Sequence, residues 1–356
     1  MAKSKALIPD DQGERIKYVF GPVPSRRLGQ SLGIDTIPLK TCNWNCVYCQ
    51  VGRSIPVTNE RKAYYPREEI LAEVRHTLAS HGPGEIDWVS FVGSGEPTLH
   101  SDIGWLIRQV KAITELPVTV ITNGALLYRP DIRQELMAAD AVMPTLDAGT
   151  PDLYRRLNRP HPEVTFERLV DGMVAFNAEY AGKFWPQVML VRGLNDTEEA
   201  LRAIDTVFRS IEPDEIHISL PTRPPAETWV EPPDEEGLLR AQAILGSVAR
   251  LFKPTRGVFD LSGYDDLAAA VVGIITRHPM SEEDLLQTLQ RSSAGSIKDV
   301  LGKLEVGGRA QVILRNGVRF WSAAPSHFPG ERQSRAADPR NYQRQRRNTN
   351  GAQTAS

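Results

Sequence analysis

Cysteine occurs three times in the 356-residue chain, as Cys42, Cys46 and Cys49 in the spacing C-x3-C-x2-C. Thiolates are soft ligands that select iron or zinc. A tetrahedral zinc site needs a fourth ligand, usually His or Cys from a second pair, yet no fourth cysteine exists and the intervening Trp44 and Asn45 do not ligate. A disulfide framework fits no better, because three is odd and a chain of this length needs no staples. Three thiolates suit a [4Fe-4S] cubane, where they leave one iron without a protein ligand and open to another molecule.

Further candidate groups follow apolar runs. After Trp88–Val92 comes Gly93-Ser94-Gly95-Glu96-Pro97, in which small residues let backbone approach a ligand and Glu96 offers a carboxylate to an ammonium group. Asn123 follows the run Val118–Ile121 and Asp147 follows Ala141–Leu146. Each can hydrogen-bond a ligand hydroxyl or serve as a turn or helix cap. Arg159 ends the stretch Asp152–Pro160, where a guanidinium can fork onto a carboxylate or belong to a solvated basic face.

With Tyr48 as the aromatic of C-x3-C-x-aromatic-C, and with Gly95-Glu96-Pro97, the chain resembles the radical S-adenosylmethionine (SAM) superfamily. The resemblance implies a [4Fe-4S] cluster on Cys42, Cys46 and Cys49, with SAM coordinating the open iron. It places Tyr48, Gly95, Glu96, Pro97, Asn123, Asp147 and Arg159 around SAM: Glu96 on its amino group, Asp147 and Asn123 on the ribose, Arg159 on its carboxylate. Ser94 stands where the family's usual G-G-E-P segment has its first glycine. Val188–Asn195 is similar to the family's adenine-side strand. The resemblance also implies a flavodoxin- or ferredoxin-type electron donor.

The elements that must position these groups alternate. Leu32–Thr36 is expected as the first strand, feeding the cysteine loop, and Arg67–Ala79 as a helix with Ile70, Leu71, Val74 and Leu78 at helical spacing. Trp88–Val92, Val118–Ile121, Ala141–Leu146, Gln187–Val191 and Glu215–Leu220 have the apolar character of buried parallel strands. Helices are expected between them, including Ile103–Ala112, Phe166–Tyr180 and Thr197–Ile211. Right-handed crossovers then give a parallel α/β sheet of six βα units curling into a partial barrel. A (β/α)6 partial TIM barrel is also what the resemblance implies, with the chemistry at the C-terminal strand ends.

Two arginine-bearing, proline-rich loops, Phe20–Gly29 and Pro221–Trp229, are expected at the barrel mouth and suggest an anionic or carboxylate-bearing substrate. Near Lys253–Gly257 the rhythm changes. Helices over Tyr264–Arg277, Ser281–Leu289 and Ser296–Glu305, then two strands flanking Asn316-Gly317, have the order of a winged helix-turn-helix. Its charges balance overall, but Arg291, Lys298, Lys303, Arg309, Arg315 and Arg319 face only Asp299 and Glu305 across the third helix and wing. An RNA, DNA or peptide partner is therefore open. The expected divisions are an N-terminal extension 1–19, the barrel domain 20–255, the winged helix 264–323, and a disordered arginine-rich tail 324–356.

A net charge of −2 gives no global attraction to nucleic acid. No apolar run approaches the roughly 20 residues of a membrane span, and Met1–Asp11 has no long apolar stretch. A cytoplasmic protein without a membrane partner is expected.

The resemblance implies an oxidoreductase-type enzyme that reductively cleaves SAM to a 5′-deoxyadenosyl radical, which takes hydrogen from a substrate the sequence does not identify. The absence of further cysteines excludes a second cysteine-bound cluster and methyl transfer through a cysteine carrier, and tells against wyosine-base synthases that carry a second cluster. The alternative is a redox-sensing, DNA-binding regulator, which has no need of Gly93–Pro97 or of six βα units.

Overall fold

The computed structural model describes residues 17–252, 259, 264, 266–289 and 294–328. Most of the expected N-terminal extension, the Lys253–Gly257 break, Arg291 and the tail beyond Phe328 lie outside these residues.

The chain opens with an antiparallel pair, β1 (Val19–Ser25) and β2 (Gly29–Ile34). Strands and helices then alternate: α1 (Arg67–Ala79), β3 (Trp88–Phe91), α2 (Ile103–Lys111), β4 (Val118–Ile121), α3 (Pro130–Leu136), β5 (Ala141–Met143), α4 (Pro151–Leu157) and α5 (Phe166–Glu179). β6 (Lys183–Phe184), β7 (Gln187–Met189), α6 (Glu198–Ile211), β8 (Ile216–Ser219), α7 (Glu235–Leu245) and β9 (Ala249–Leu251) complete this part. Strands β2 to β6 are parallel and adjacent in chain order, as are β7 to β9, and a parallel bridge from Thr145 to Gln187 links the two groups. The expected parallel α/β sheet is present.

The central strands β3, β4 and β5 are buried on both faces, and polar site residues follow them: Val89, Phe91, Val118, Val120 and Val142 are all inaccessible. The helices cover the sheet with one apolar stripe each. In α6 that stripe is Leu201, Ile204, Phe208 and Ile211, and Thr197 caps the first turn by accepting from Ala200 N.

The segment Phe20–Gly29, expected as a loop, is instead β1 and the turn after it. Pro22 and Pro24 suggested a loop, but among the described residues β1 is an edge strand pairing only with β2, and an edge tolerates the missing N–H groups. Strand β2 starts earlier than expected and ends at Ile34, and β5 stops at Met143 because Pro144 follows.

After residue 266 come α8 (Leu267–Arg277), β10 (Met280–Ser281), α9 (Glu282–Thr288), α10 (Ala294–Val306), β11 (Ala310–Arg315) and β12 (Val318–Ala323), with the antiparallel order β10-β12-β11. Helix α8 begins three residues later than expected because Asp266 caps it, accepting from Ala269 N at 2.8 Å. Asn316 and Gly317 both have positive φ, as a two-residue hairpin turn requires. A separate cluster of Val271, Ile275, Leu285, Ile297, Leu301 and Trp321 forms this unit's own core. The segment 324–328 is ordered against the barrel, where His327 O accepts from Arg53 N at 2.8 Å. Among the described residues, no helix is long and apolar enough to cross a membrane.

Candidate functional site: the thiol loop and the strand ends beside it

The loop after β2 carries all three cysteines, and none of them is in a disulfide. It has little regular structure of its own; the segment after α4 holds it. Asn45 N donates to Asn158 O (3.0 Å), Val47 N to Leu157 O (2.9 Å), and Trp44 bridges to Pro160 while stacking edge-on against Tyr154 at 5.3 Å. Trp44, expected only not to ligate, is thus the buried wedge that seats the loop.

Each sulfur has a nitrogen donor near it. Asn123 Nδ2 lies 3.8 Å from Cys42 Sγ and Asn158 Nδ2 lies 3.7 Å from Cys46 Sγ. Lys40 Nζ lies 3.3 Å from Cys49 Sγ. Burial, with Glu96 nearby, pushes the Cys42 thiol up to about 12, and burial drives Cys46 well above its ordinary value. Such thiols ionise only when a bound cation compensates them, which suits ligands rather than free nucleophiles. Among the described residues no three His, Cys, Asp or Glu side chains close on a single ion. Three thiols on one loop, each with a nitrogen donor close by, are the donor set that a [4Fe-4S] cluster takes when each thiolate binds its own iron.

Glu96 sits at the end of β3 with 2% of its surface exposed. Its Oε1 accepts from Thr98 N (3.0 Å), Thr98 Oγ1 (2.5 Å) and Thr122 Oγ1 (2.6 Å), whereas Oε2 accepts only Asn123 N (2.7 Å) among the described residues. Burial raises its pKa and these four bonds oppose the rise. Oε2 keeps a lone pair for one more donor. Gly95 must be glycine, since a Cβ would come within 2.0 Å of Thr41 O, and Glu96 N donates to that same carbonyl (2.9 Å). Pro97 opens a short helical turn whose N-cap is Glu96 itself.

Asp147 is brought to the site, but its carboxylate is engaged by the protein. Oδ1 accepts from Met189 N (2.7 Å); Oδ2 accepts from Asn158 Nδ2 (2.6 Å) and from the Tyr48 hydroxyl. Burial raises its pKa to about 6. Tyr48 is held protonated by burial and by Asp147, so it donates. Asn123 is central: its N–H goes to Glu96, its Nδ2 to Asn43 Oδ1 (2.6 Å), and its Oδ1 accepts from Ala125 N (2.9 Å). Arg159, at φ 46°, pairs with buried Glu227, which Arg53 also grips through two bonds of 2.9 Å.

Several contributors were not singled out from the sequence. Asn158 and Lys40 were overlooked although each lies beside a chosen motif. Asp35 holds Ser94 through Ser94 N (3.2 Å) and Ser94 Oγ (2.7 Å), and itself pairs with Arg277 of α8. Ser94 in place of a glycine is the signal that could have led to Asp35, because a hydroxyl in a tight buried turn needs a partner. The expected rim loops do meet, with Arg26 Nη2 donating to Thr222 Oγ1 at 2.7 Å.

A radical SAM superfamily profile matches residues 36–205. A protein named GTPase Obg from Brachyspira hyodysenteriae is 34% identical over 318 residues, covering 85% of this chain and 45% of that protein, so the chain spans less than half of that relative's length. UPF0026 protein MJ1312 from Methanocaldococcus jannaschii is 31% identical, covering 85% of this chain and 94% of that protein. Among solved structures, a radical SAM methyltransferase from Sphaerobacter thermophilus has a TM-score of 0.45 at 17% identity, covering 62% of this chain and 65% of that one.

Proposed function

The chain belongs to the radical SAM superfamily and to the UPF0026 proteins, and from that premise we propose that it is an enzyme that cleaves SAM reductively and takes hydrogen from a substrate held beside the thiol loop. Proteins of this superfamily use a [4Fe-4S] cluster and SAM, and commonly receive their electron from a flavodoxin or ferredoxin. When bound and reduced, the cluster supplies the electron that splits SAM into methionine and a 5′-deoxyadenosyl radical.

The chain's own residues then divide the work. Cys42, Cys46 and Cys49 hold the cluster, with Asn123, Asn158 and Lys40 donating toward their sulfurs. Glu96 Oε2 accepts the SAM ammonium, and Thr98 and Thr122 fix its other oxygen. Arg159, which reaches Glu227 alongside Arg53, is the guanidinium that faces the SAM carboxylate. Asp147 Oδ2 holds Tyr48 and Asn158 in place, while Oδ1, which accepts only Met189 N among the described residues, keeps a lone pair for a ribose hydroxyl of SAM.

The observation that carries the proposal is Asn123: its backbone reaches Glu96 while its amide stands beside Cys42, so the ammonium anchor and the thiol loop are immediate neighbours. Parallel strands in chain order support the partial barrel. The order of three helices with a hairpin supports a winged helix for the C-terminal unit. Its basic face is partly spent, since Arg315 reaches Arg223 O and Val230 O on the barrel and Lys298 pairs with Glu282 at 3.8 Å. Gln50 Nε2, next to Cys49, donates to Arg277 O at 3.0 Å. These contacts favour a unit that walls the thiol loop over one that binds DNA as a regulator.

The test is electron paramagnetic resonance of the anaerobically reconstituted, reduced protein. Added SAM should shift the cluster signal in the wild type and not in Glu96→Ala. A spectrum indifferent to SAM would remove the proposed contact between SAM and the cluster.

A further inference from the structure

Three arginines from two parts of the sheet stand near one another, with Arg26 repelling both Arg27 and Arg223. Arg26 and Arg27 lie in the β1–β2 turn at one edge, and Arg223 follows β8 in the other parallel group. The turn reaches across: Arg27 Nη1 donates to Gln187 Oε1 at the start of β7, and Arg26 Nη2 donates to Thr222 Oγ1 at 2.7 Å. Arg223 Nη1 donates to Gln50 Oε1 (3.0 Å) and to His278 Nδ1 (3.2 Å). Since Gln50 follows Cys49, Arg223 adjoins the thiol loop, while Arg26 and Arg27 come from the turn before β2.

Every one of these partners is neutral, and among the described residues no carboxylate pairs with any of the three guanidiniums. Of the acidic side chains around them, Glu227 is committed to Arg53 and Arg159 and Glu231 to Arg315, while Asp284 accepts from Ser281 and attracts Arg223 without forming an ion pair with it. His278 cannot supply a counter-charge, because it accepts from Arg223 and is held neutral by burial and by Arg223 and Arg277. Burial and repulsion from Arg26 bring Arg27 and Arg223 down to about 10, so both stay charged at neutral pH, and burial lowers Arg26 as well. Both residues are packed in protein yet keep accessible surface. Uncompensated charge held in such a place is costly unless an anion completes it.

We propose that Arg26, Arg27 and Arg223 form a phosphate subsite of the substrate pocket, so that the substrate is a small molecule bearing a phosphate monoester. This rests on the radical SAM reading for its meaning, not for its geometry. A dianionic phosphate neutralises two of the three charges, whereas a carboxylate neutralises one, and the planar fork of arginine matches phosphate oxygens.

The test is calorimetric titration of inorganic phosphate, and separately of acetate, into the anaerobically reconstituted full chain with SAM present, with SAM cleavage measured on the same samples. Expected are one saturable phosphate site, acetate at least ten-fold weaker, and at least ten-fold loss of phosphate affinity in Arg27→Gln and Arg223→Gln. The exposed control Arg202→Gln should bind phosphate as the wild type does. If a glutamine variant fails to fold, Arg27→Lys, which keeps the charge but loses the fork, should still weaken phosphate. Binding that survives all these substitutions, or acetate binding as tightly as phosphate, overturns the subsite. A wild type that cleaves SAM but binds no phosphate sinks the subsite alone; one that binds phosphate but does not cleave SAM leaves the subsite standing and sinks the enzymatic reading.

Discussion

Replacing Arg277 by methionine tests how the C-terminal unit is tied to the site. Arg277 Nε lies 2.9 Å from Asp35 Oδ2, with side-chain exposures of 11% and 4%. Asp35 keeps three neutral donors after the change: Ser94 N, Ser94 Oγ and Ile37 N. Removing one partner of a buried pair costs about 3–5 kcal/mol, which the remaining donors reduce to about 2–3. Arg277 also donates to Lys17 O at 2.9 Å and lies over Phe20 at 4.8 Å, and losing these adds about 1–2 kcal/mol whether or not Asp35 is present. The single variant should thus lose about 3–5 kcal/mol in denaturant unfolding. In an Asp35→Asn background the same change should cost only about 1–2. Asp35 also holds the turn that presents Glu96, and a Cβ on Gly93 would meet its carboxylate at 2.1 Å, so a displaced Asp35 disturbs that turn directly. SAM affinity by equilibrium dialysis should therefore fall about ten-fold, or ~1.4 kcal/mol. Costs that add within about 0.5 kcal/mol across the cycle would refute the coupling. Unchanged SAM affinity would refute its link to the site.

Other substitutions probe separate parts. Glu96→Gln puts an amide NH2 where either Asn123 N–H or the threonine donors must lose their acceptor; unfolding should show a cost of about 1–3 kcal/mol and dialysis a SAM affinity 10–100-fold weaker, roughly the value of a hydrogen bond to a charged group. Gly95→Ala drives a methyl to within 2.0 Å of Thr41 O, so about 1–3 kcal/mol of stability and most bound iron should be lost, measured by unfolding and iron assay. His217 is held down to about 4, chiefly by burial and then by Arg27, against ~6.5 when unfolded. Between these values the unfolded chain binds the extra proton, so stability falls as pH drops from 6.5 to 4, by at most about 3 kcal/mol, and His217→Gln should flatten that window in unfolding measured against pH.

Local chemistry was legible in the sequence, and long-range pairing was not. The span of α1, the cap at Ser281 and the Asn316-Gly317 turn depend on neighbours within a few residues, and each stands where the pattern places it. Strand β1 was hidden because prolines signal loops unless one knows that the strand lies at an edge. Asp35 and Arg277 are 242 positions apart, and nothing in either neighbourhood announces the other. The same holds at Asp147, whose residue type and place after a strand were readable, whereas its engagement by Tyr48, Asn158 and Met189 depends on three other segments meeting there. Arg159 had the charge expected of it, but its partner Glu227 arrives from beyond β8.

The central claim, that the thiol loop and Glu96 together serve SAM cleavage, is tested most directly by product analysis. The anaerobically reconstituted, dithionite-reduced protein should convert SAM to 5′-deoxyadenosine and methionine in equal amounts, and Cys46→Ala should abolish both while leaving the fold intact by circular dichroism. Binding of SAM without release of 5′-deoxyadenosine, or release undiminished in Cys46→Ala, would contradict the account.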